Sequence, residues 1–320
     1  MIEIIPFTEV DRRPKSPNIL MCMWVPLSIS LRLTCFLDCL NSLIAMLELF
    51  MSAVAVNSPS PLLIAQITDT HLYADAQKEL LGLQTSQSFQ CVIEQVNALE
   101  QRPDLILLTG DLSQDGTAES YERLHTMVSP LAIPTYWLPG NHDCPKTMAQ
   151  VLTRSPISPQ KSFYADPWHI VLLDSSVPGC VHGYLSPESL EWLDQELRQS
   201  NDAPALIAFH HPPFLSGSDW MNDIGLLNAE EFFEVCDRHS HVKLVLFGHI
   251  HQNFSHQRNQ VHYLGTPSTC IQFKPNSVNF ALDEEQPGLR LVTLYPDGKW
   301  ESEVERVVYS CKLDFAAAGY

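Results

Sequence analysis

Positive charge is scarce in this sequence. Of 320 residues, 19 are Lys or Arg against 37 Asp or Glu, a formal net charge of −18 with histidine neutral. Broad binding to nucleic-acid backbones needs clustered cations, and docking on an anionic membrane surface needs them too. Both are disfavoured. A cysteine pattern is also lacking. The nine cysteines are scattered, odd in number and never spaced C-x-x-C, which argues against a disulfide framework or a zinc ribbon and for reduced, cytoplasmic thiols. A clean apolar span is missing as well. ILMCMWVPLSISL (19–31) follows DRRPK, but that leader is long, contains acids and precedes no clear cleavage site. In the next run Arg32, Asp38 and Glu48 interrupt any membrane span. Neither an internal repeat nor a low-complexity linker is present.

With 45% hydrophobic residues the chain can bury a sizeable core, as one large domain or two small ones. Its first sixty residues differ from the rest. Leu33, Phe36, Leu37, Leu40, Leu43, Ile44, Leu47, Phe50 and Met51 share one face at helical spacing. The polar face carries two acids and few bases, unlike a membrane-surface helix. A docked extra helix, a membrane anchor and a start codon assigned too far upstream all fit. The last is favoured, with Met51 as initiator, because recognisable pattern begins only near Pro61. Residues 1–60 are therefore set apart as an extension, and 61–320 as one domain.

From residue 61 short apolar runs alternate with helical stretches. Strands are expected at 62–69, 104–111, 133–143, 169–176, 205–211 and 242–251, and helices at 86–102, 117–128, 186–199 and 228–239. Ser186-Pro187-Glu188 and Asn228 read as helix starts. Strands apolar on both faces, alternating with helices, predict an α/β core. Three further strands follow residue 260, two of them joined at an Asp297-Gly298 turn.

The strand ends carry the chemistry: Asp69-Thr-His71, Gly110-Asp111, Gly140-Asn141-His142-Asp143, His210-His211-Pro212 and Gly248-His249-Ile-His251. Carboxylate, amide and imidazole hold divalent metals of mixed N/O preference, and in open α/β sheets such groups gather beyond the carboxyl ends of the strands. Each fragment alone reads equally as turn chemistry or as packed histidine. H-x-H on a strand would put both imidazoles on one face. All five fragments in order, each after an apolar run, make coincidence a poor account.

This order of D-x-H, G-D, G-N-H-D, H-x-P and G-H-x-H resembles the calcineurin-like metallophosphoesterases. AQITDTHL (65–72), WLPGNHD (137–143), FGHIHQ (247–252) and TPSTCIQFKPNSVNF (266–280) look closer still to the bacterial class III 3′,5′-cyclic AMP phosphodiesterases. The resemblance covers 61–320 and leaves the N-terminal segment without a counterpart. It implies a four-layer αββα sandwich, two mixed sheets flanked by helices, with two divalent metals (Fe, Mn, Zn or Co) between the sheets. Asp69, His71 and His251 would hold one metal, and Asn141, His210 and His249 the other, with Asp111 bridging. His211 is the runner-up to His210, which the H-x-P pattern prefers. His142 would face the substrate as the catalytic residue, beside His71, Asp111, Asn141 and His251. Asp143 would orient a neighbouring imidazole or serve the turn.

Two such cations, two aspartates and a bridging hydroxide leave about +1 at the site by formal count, so a phosphodiester can bind an acidic protein. The hydroxide would attack phosphorus opposite the 3′ oxygen and open 3′,5′-cyclic AMP to the 5′-monophosphate. A broader diesterase remains the alternative, acting on glycerophosphodiesters, nucleotide diphosphate conjugates or 2′,3′-cyclic nucleotides. A non-catalytic scaffold of the same family is disfavoured because every expected site residue is present. The expected partner is a small phosphodiester, without nucleic acid or membrane, and a homodimer is compatible with this reading.

Overall fold

Two six-stranded sheets account for the apolar runs. The first has the order β14-β13-β1-β4-β5-β6, with β1 (Leu62–Ile67), β4 (Leu105–Thr109), β5 (Thr135–Leu138) and β6 (Ile157–Ser158) parallel, and β13 (Gly288–Leu294) and β14 (Trp300–Arg306) antiparallel at one edge. The second has the order β11-β12-β10-β9-β8-β7. Here β8 (Trp168–Leu172), β9 (Ala205–Ala208), β10 (Val242–Phe247) and β12 (Val261–Gly265) are parallel, and β7 (Ser162–Ala165) and β11 (Phe254–Arg258) close the edges antiparallel. A short hairpin, β2 (Glu79–Leu80) with β3 (Leu83–Gln84), stands apart. This computed structural model describes residues 60–319 together with 42–44 and 46, and those four are helical and exposed. The expectations of a start at Met51, a docked helix or an anchor otherwise fall outside the described residues. Among the described residues no helix is long and apolar enough to cross a membrane.

The layering follows from the strand period of two. Ile64, Leu105, Leu107, Ile170, Leu172, Leu206, Leu244 and Leu246 form one cluster drawn from both sheets. Their alternates point outward to two other clusters. Leu63, Ala65, Ile67, Ile106 and Leu108 meet Phe89, Val92, Tyr121, Leu124 and Met148, from α1 (Thr85–Ala98), α2 (Ala118–Val128) and α3 (Pro145–Val151). Val171, Ile207, Val245 and Phe247 meet Leu190, Leu193, Phe232 and Phe233, from α4 (Pro187–Gln199) and α5 (Ala229–Asp237). Strands buried on both faces thus give the four layers αββα.

Ser186 Oγ accepts from Ser189 N–H and caps α4, as the sequence implies. Asn228 behaves differently: its side chain makes no cap and instead bonds both backbone groups of Leu185. Gly298, at φ +82°, turns the chain between β13 and β14.

A lysine is built into the rim of this frame. Lys161 Nζ lies 3.3 Å from the centre of the Trp137 ring and donates to Trp137 O. Burial pulls its pKa down to about 7 against the opposing Asp174 charge. The unfolded chain then holds more protons between pH 7 and the ordinary lysine range, so stability rises with pH across that window. Between pH 7 and 9 the wild type should gain about 2 kcal/mol relative to Lys161→Met, read by urea denaturation. Parallel profiles would mean that the ammonium stays charged in the folded protein.

Candidate metal centre

The expected strands end earlier than the polar motifs, so every candidate ligand sits in a loop just beyond β1, β4, β5, β9 or β10. His249 and His251 accordingly do not share a strand face. Asp69 (φ 54°), His71 (φ 45°), Asp111 (φ 49°), His249 (φ 67°) and His251 (φ 49°) are all left-handed, a conformation that costs non-glycine residues energy and gathers at functional sites. Tight loop packing enforces it. A Cβ on Gly248 would lie 2.1 Å from Thr68 Oγ1, and one on Gly140 would lie 2.2 Å from Asp111 Oδ1. Gly140→Ala should therefore displace Asp111 and weaken metal affinity more than about tenfold, measured by titration calorimetry. Unchanged affinity would show that the loop yields without moving the carboxylate.

Two groups of donor atoms result. In the first, His251 Nε2 lies 3.2 Å from both His71 Nε2 and Asp69 Oδ1. His251 Nδ1–H donates to Ile271 O at 2.8 Å and His71 Nδ1 bonds Gln114 Oε1 at 2.5 Å, so both Nε2 lone pairs point inward. In the second, His210 Nε2 lies 3.2 Å from Asp111 Oδ2 and 3.3 Å from His249 Nδ1. His210 Nδ1–H is committed to Thr109 O at 2.9 Å. Lone pairs this close repel unless a proton or cation lies among them. Bonds of about 2.1 Å to a shared cation bring donors to roughly this spacing. Asp111 Oδ2 and Asn141 Oδ1 are buried without a hydrogen-bond partner, a costly arrangement that a cation relieves. The donor set therefore fits metal.

Asp111 belongs to both groups. Its carboxylate lies within 4.8 Å of donor atoms of Asp69 and His210, and likewise of His71 and His142. Burial alone would raise its pKa, but the His210 and His142 imidazoles hold it well below the carboxylate range. Burial likewise opposes ionisation of Asp69, and His251 and His210 outweigh it. Burial takes His71 down to about 3 and His249 well below its ordinary value, leaving both as neutral donors. His210 moves the other way, to about 9: burial opposes protonation, but the Asp111 carboxylate outweighs it.

The two adjacent histidines differ in their hydrogen bonds. His211 Nε2–H donates to Val181 O at 3.1 Å and its Nδ1 meets Ser175 Oγ at 2.8 Å; both nitrogens are engaged in the protein, and one lies within 4.8 Å of donor atoms of His210 and His249. Asp143 is held mainly by backbone groups. It accepts from the N–H groups of Leu112, Ser113 and Gly140 and from Tyr121 Oη, tying the Asp111 and Asn141 loops together. Burial and the Asp111 charge raise its pKa to about 7.

His142 N–H anchors Asp111 Oδ1 at 2.8 Å. Its ring stands edge-on to His71, 5.1 Å away, and lines a cavity of about 540 Å³ with His249, Trp220, Phe273, Asn279 and Phe280. Phe273, Asn279 and Phe280 all come from the run TPSTCIQFKPNSVNF (266–280). Trp220 carries no such signal, since nothing around DWM (219–221) marks a site in the sequence.

Residues 62–253 match the family described as calcineurin-like phosphoesterase. The chain is 50% identical over 259 residues to a 3′,5′-cyclic-nucleotide phosphodiesterase of Nostoc sp., covering 81% of this chain and 97% of that protein. It is 41% identical over 261 residues to the 3′,5′-cyclic adenosine monophosphate phosphodiesterase CpdA of Pseudomonas aeruginosa, covering 81% and 95%. Among solved structures, a dimetal phosphatase from Danio rerio shares the fold, with a TM-score of 0.56 at 16% identity over 78% of this chain and 100% of that one.

Proposed function

The chain belongs to the calcineurin-like phosphoesterases, and on that premise we propose that it is a dinuclear-metal phosphodiesterase converting 3′,5′-cyclic AMP to 5′-AMP. The observation that carries this reading is the pair of buried donor groups meeting at Asp111, whose inward lone pairs suit two cations. The substrate reading draws on relatives 41% and 50% identical that are cyclic-nucleotide phosphodiesterases.

Residues 61–320 form the catalytic unit in this proposal. Asp69, His71 and His251 hold one metal, Asn141, His210 and His249 the other, and Asp111 both. When bound, the two cations neutralise phosphoryl charge and activate water. Fe, Mn, Zn and Co all suit this N/O set. The chain's own groups do the rest. Thr109 O and Ile271 O fix the tautomers of His210 and His251. Asp143 holds the two loops in register. His142, facing the cavity, stabilises phosphoryl charge or protonates the departing 3′ oxygen. The six free cysteines among the described residues are in keeping with a cytoplasmic enzyme.

The test uses the full chain, stripped by chelator and reloaded with Mn²⁺. 3′,5′-Cyclic AMP is compared with 2′,3′-cyclic AMP, a glycerophosphodiester and a nucleotide diphosphate conjugate. Metal-dependent release of 5′-AMP, fastest from 3′,5′-cyclic AMP, is expected. Faster turnover of another diester would reassign the substrate, and chelator-resistant turnover would remove the metals.

A further inference from the structure

The cavity beside the donor groups is built unlike the groups themselves. His142 and His249 form its floor, and among the described residues no Asp, Glu, Lys or Arg lines it. Its walls are apolar, three aromatic rings joined by Val181, Ile224, Ala318 and Gly319. Trp220 meets Phe273 and Phe280 edge-on, at 5.1 and 5.2 Å between ring centres, and Phe273 and Phe280 lie 5.6 Å apart. Phe273 also stacks on His251 at 4.1 Å and 10°, so one ring separates the aromatic wall from the metal-site imidazoles. Asn279, exposed at the rim, is the amide among these lining residues. The volume of about 540 Å³ suits an organic ligand and far exceeds what a bare phosphate fills.

A substrate arm reaching into this space must be uncharged, flat and apolar on its faces. A second phosphate would find no cation there, and a glycerol arm would leave the rings unfilled. We propose that this cavity is the nucleobase pocket of the site, with Trp220 and Phe280 as its side walls, and that Asn279 selects adenine. The inference rests on the phosphodiesterase reading above. The base enters with its phosphate over His142 and His249. An asparagine amide pairs in two directions with adenine, accepting from N6–H and donating to N7, whereas guanine presents two acceptors along the same edge. Aromatic contact holds any base by its face, so the rings supply affinity and the amide supplies choice.

Product inhibition separates this proposal from the substrate reading. Hydrolysis of bis-p-nitrophenyl phosphate by the metal-loaded full chain reports inhibition by 5′-AMP, 5′-GMP and inorganic phosphate. Phosphate uses the floor alone, and 5′-AMP uses floor and pocket. In the wild type 5′-AMP should inhibit at least about tenfold more tightly than phosphate. Phe280→Ala and Trp220→Ala should weaken 5′-AMP about tenfold without changing the inhibition constant of phosphate. Both side chains are only half-buried, so the variants should fold, and metal content checks that they do. Asn279→Ala should bring 5′-AMP and 5′-GMP together from about a tenfold separation. Equal inhibition by 5′-AMP and phosphate in the wild type would overturn the pocket, even if 3′,5′-cyclic AMP is hydrolysed. Unchanged 5′-AMP inhibition in both ring variants would overturn it as well. Tight, ring-dependent 5′-AMP binding without cyclic AMP turnover would uphold the pocket and remove only the cyclic substrate.

Discussion

Asp111→Ala should empty both metal positions together and lower kcat by about a thousandfold, beyond the 10–100-fold typical of residues that only orient a ligand. The carboxylate is fully buried, reaches donor atoms of both groups, and has an oxygen that no hydrogen bond satisfies. In the proposed arrangement its removal would take one ligand from each cation and leave the imidazoles facing one another. It also frees the His142 N–H that Asp111 Oδ1 accepts, so the loop bearing Asn141 loses an anchor. Metal content by elemental analysis and kcat on the same preparation decide the point. Loss of a single equivalent would mean that Asp111 serves one cation, and retention of both would remove it from the ligand set. Asp111→Asn is the companion variant, keeping volume and one oxygen while discarding charge. It should retain more metal than the alanine form.

His142→Ala is expected to give the opposite pattern, with metal retained and turnover lowered about 10²–10⁴-fold, the range of general acid–base catalysis. The bond to Asp111 runs from the backbone N–H of residue 142, so alanine preserves it. The lost ring is half-buried and faces the cavity beside His71. Its role shows in the leaving group. If His142 protonates the departing oxygen, the penalty should be large for 3′,5′-cyclic AMP, whose alkoxide leaves poorly. It should be small for bis-p-nitrophenyl phosphate, whose phenolate needs no proton. Equal penalties on both substrates would assign the ring to phosphoryl charge instead. Unchanged kcat on both would take it out of the mechanism.

Much of this architecture was legible before any coordinates. Stretches such as LLIA (62–65) and LVLF (244–247) are apolar at successive positions, and only a strand covered on both faces tolerates that. Two sheets with helices outside them are the consequence. Ser186 capped its helix because capping is a matter of a few adjacent residues. Asn228 did not, because its side chain found the Leu185 backbone, 43 positions away, and no local pattern reveals such a partner. H-x-H failed as a strand motif for a similar reason. Burial and loop packing hold His249 and His251 left-handed, against their intrinsic preference.

The sequence by itself determined the kinds of side chain at the site and the strands they follow, because ligand chemistry and hydrophobic period are written in neighbouring residues. Tertiary structure decided how the two adjacent histidines are engaged, since Val181 O and Ser175 Oγ bond His211 while Thr109 O orients His210. It placed Asp143 on the backbone N–H groups of Leu112, Ser113 and Gly140. It also assembled the aromatic cavity from Trp220, Phe273 and Phe280, residues that only the packing of distant loops brings into contact. Hydrogen-bond direction and ring packing depend on groups far along the chain, and the folded molecule alone sets those distances.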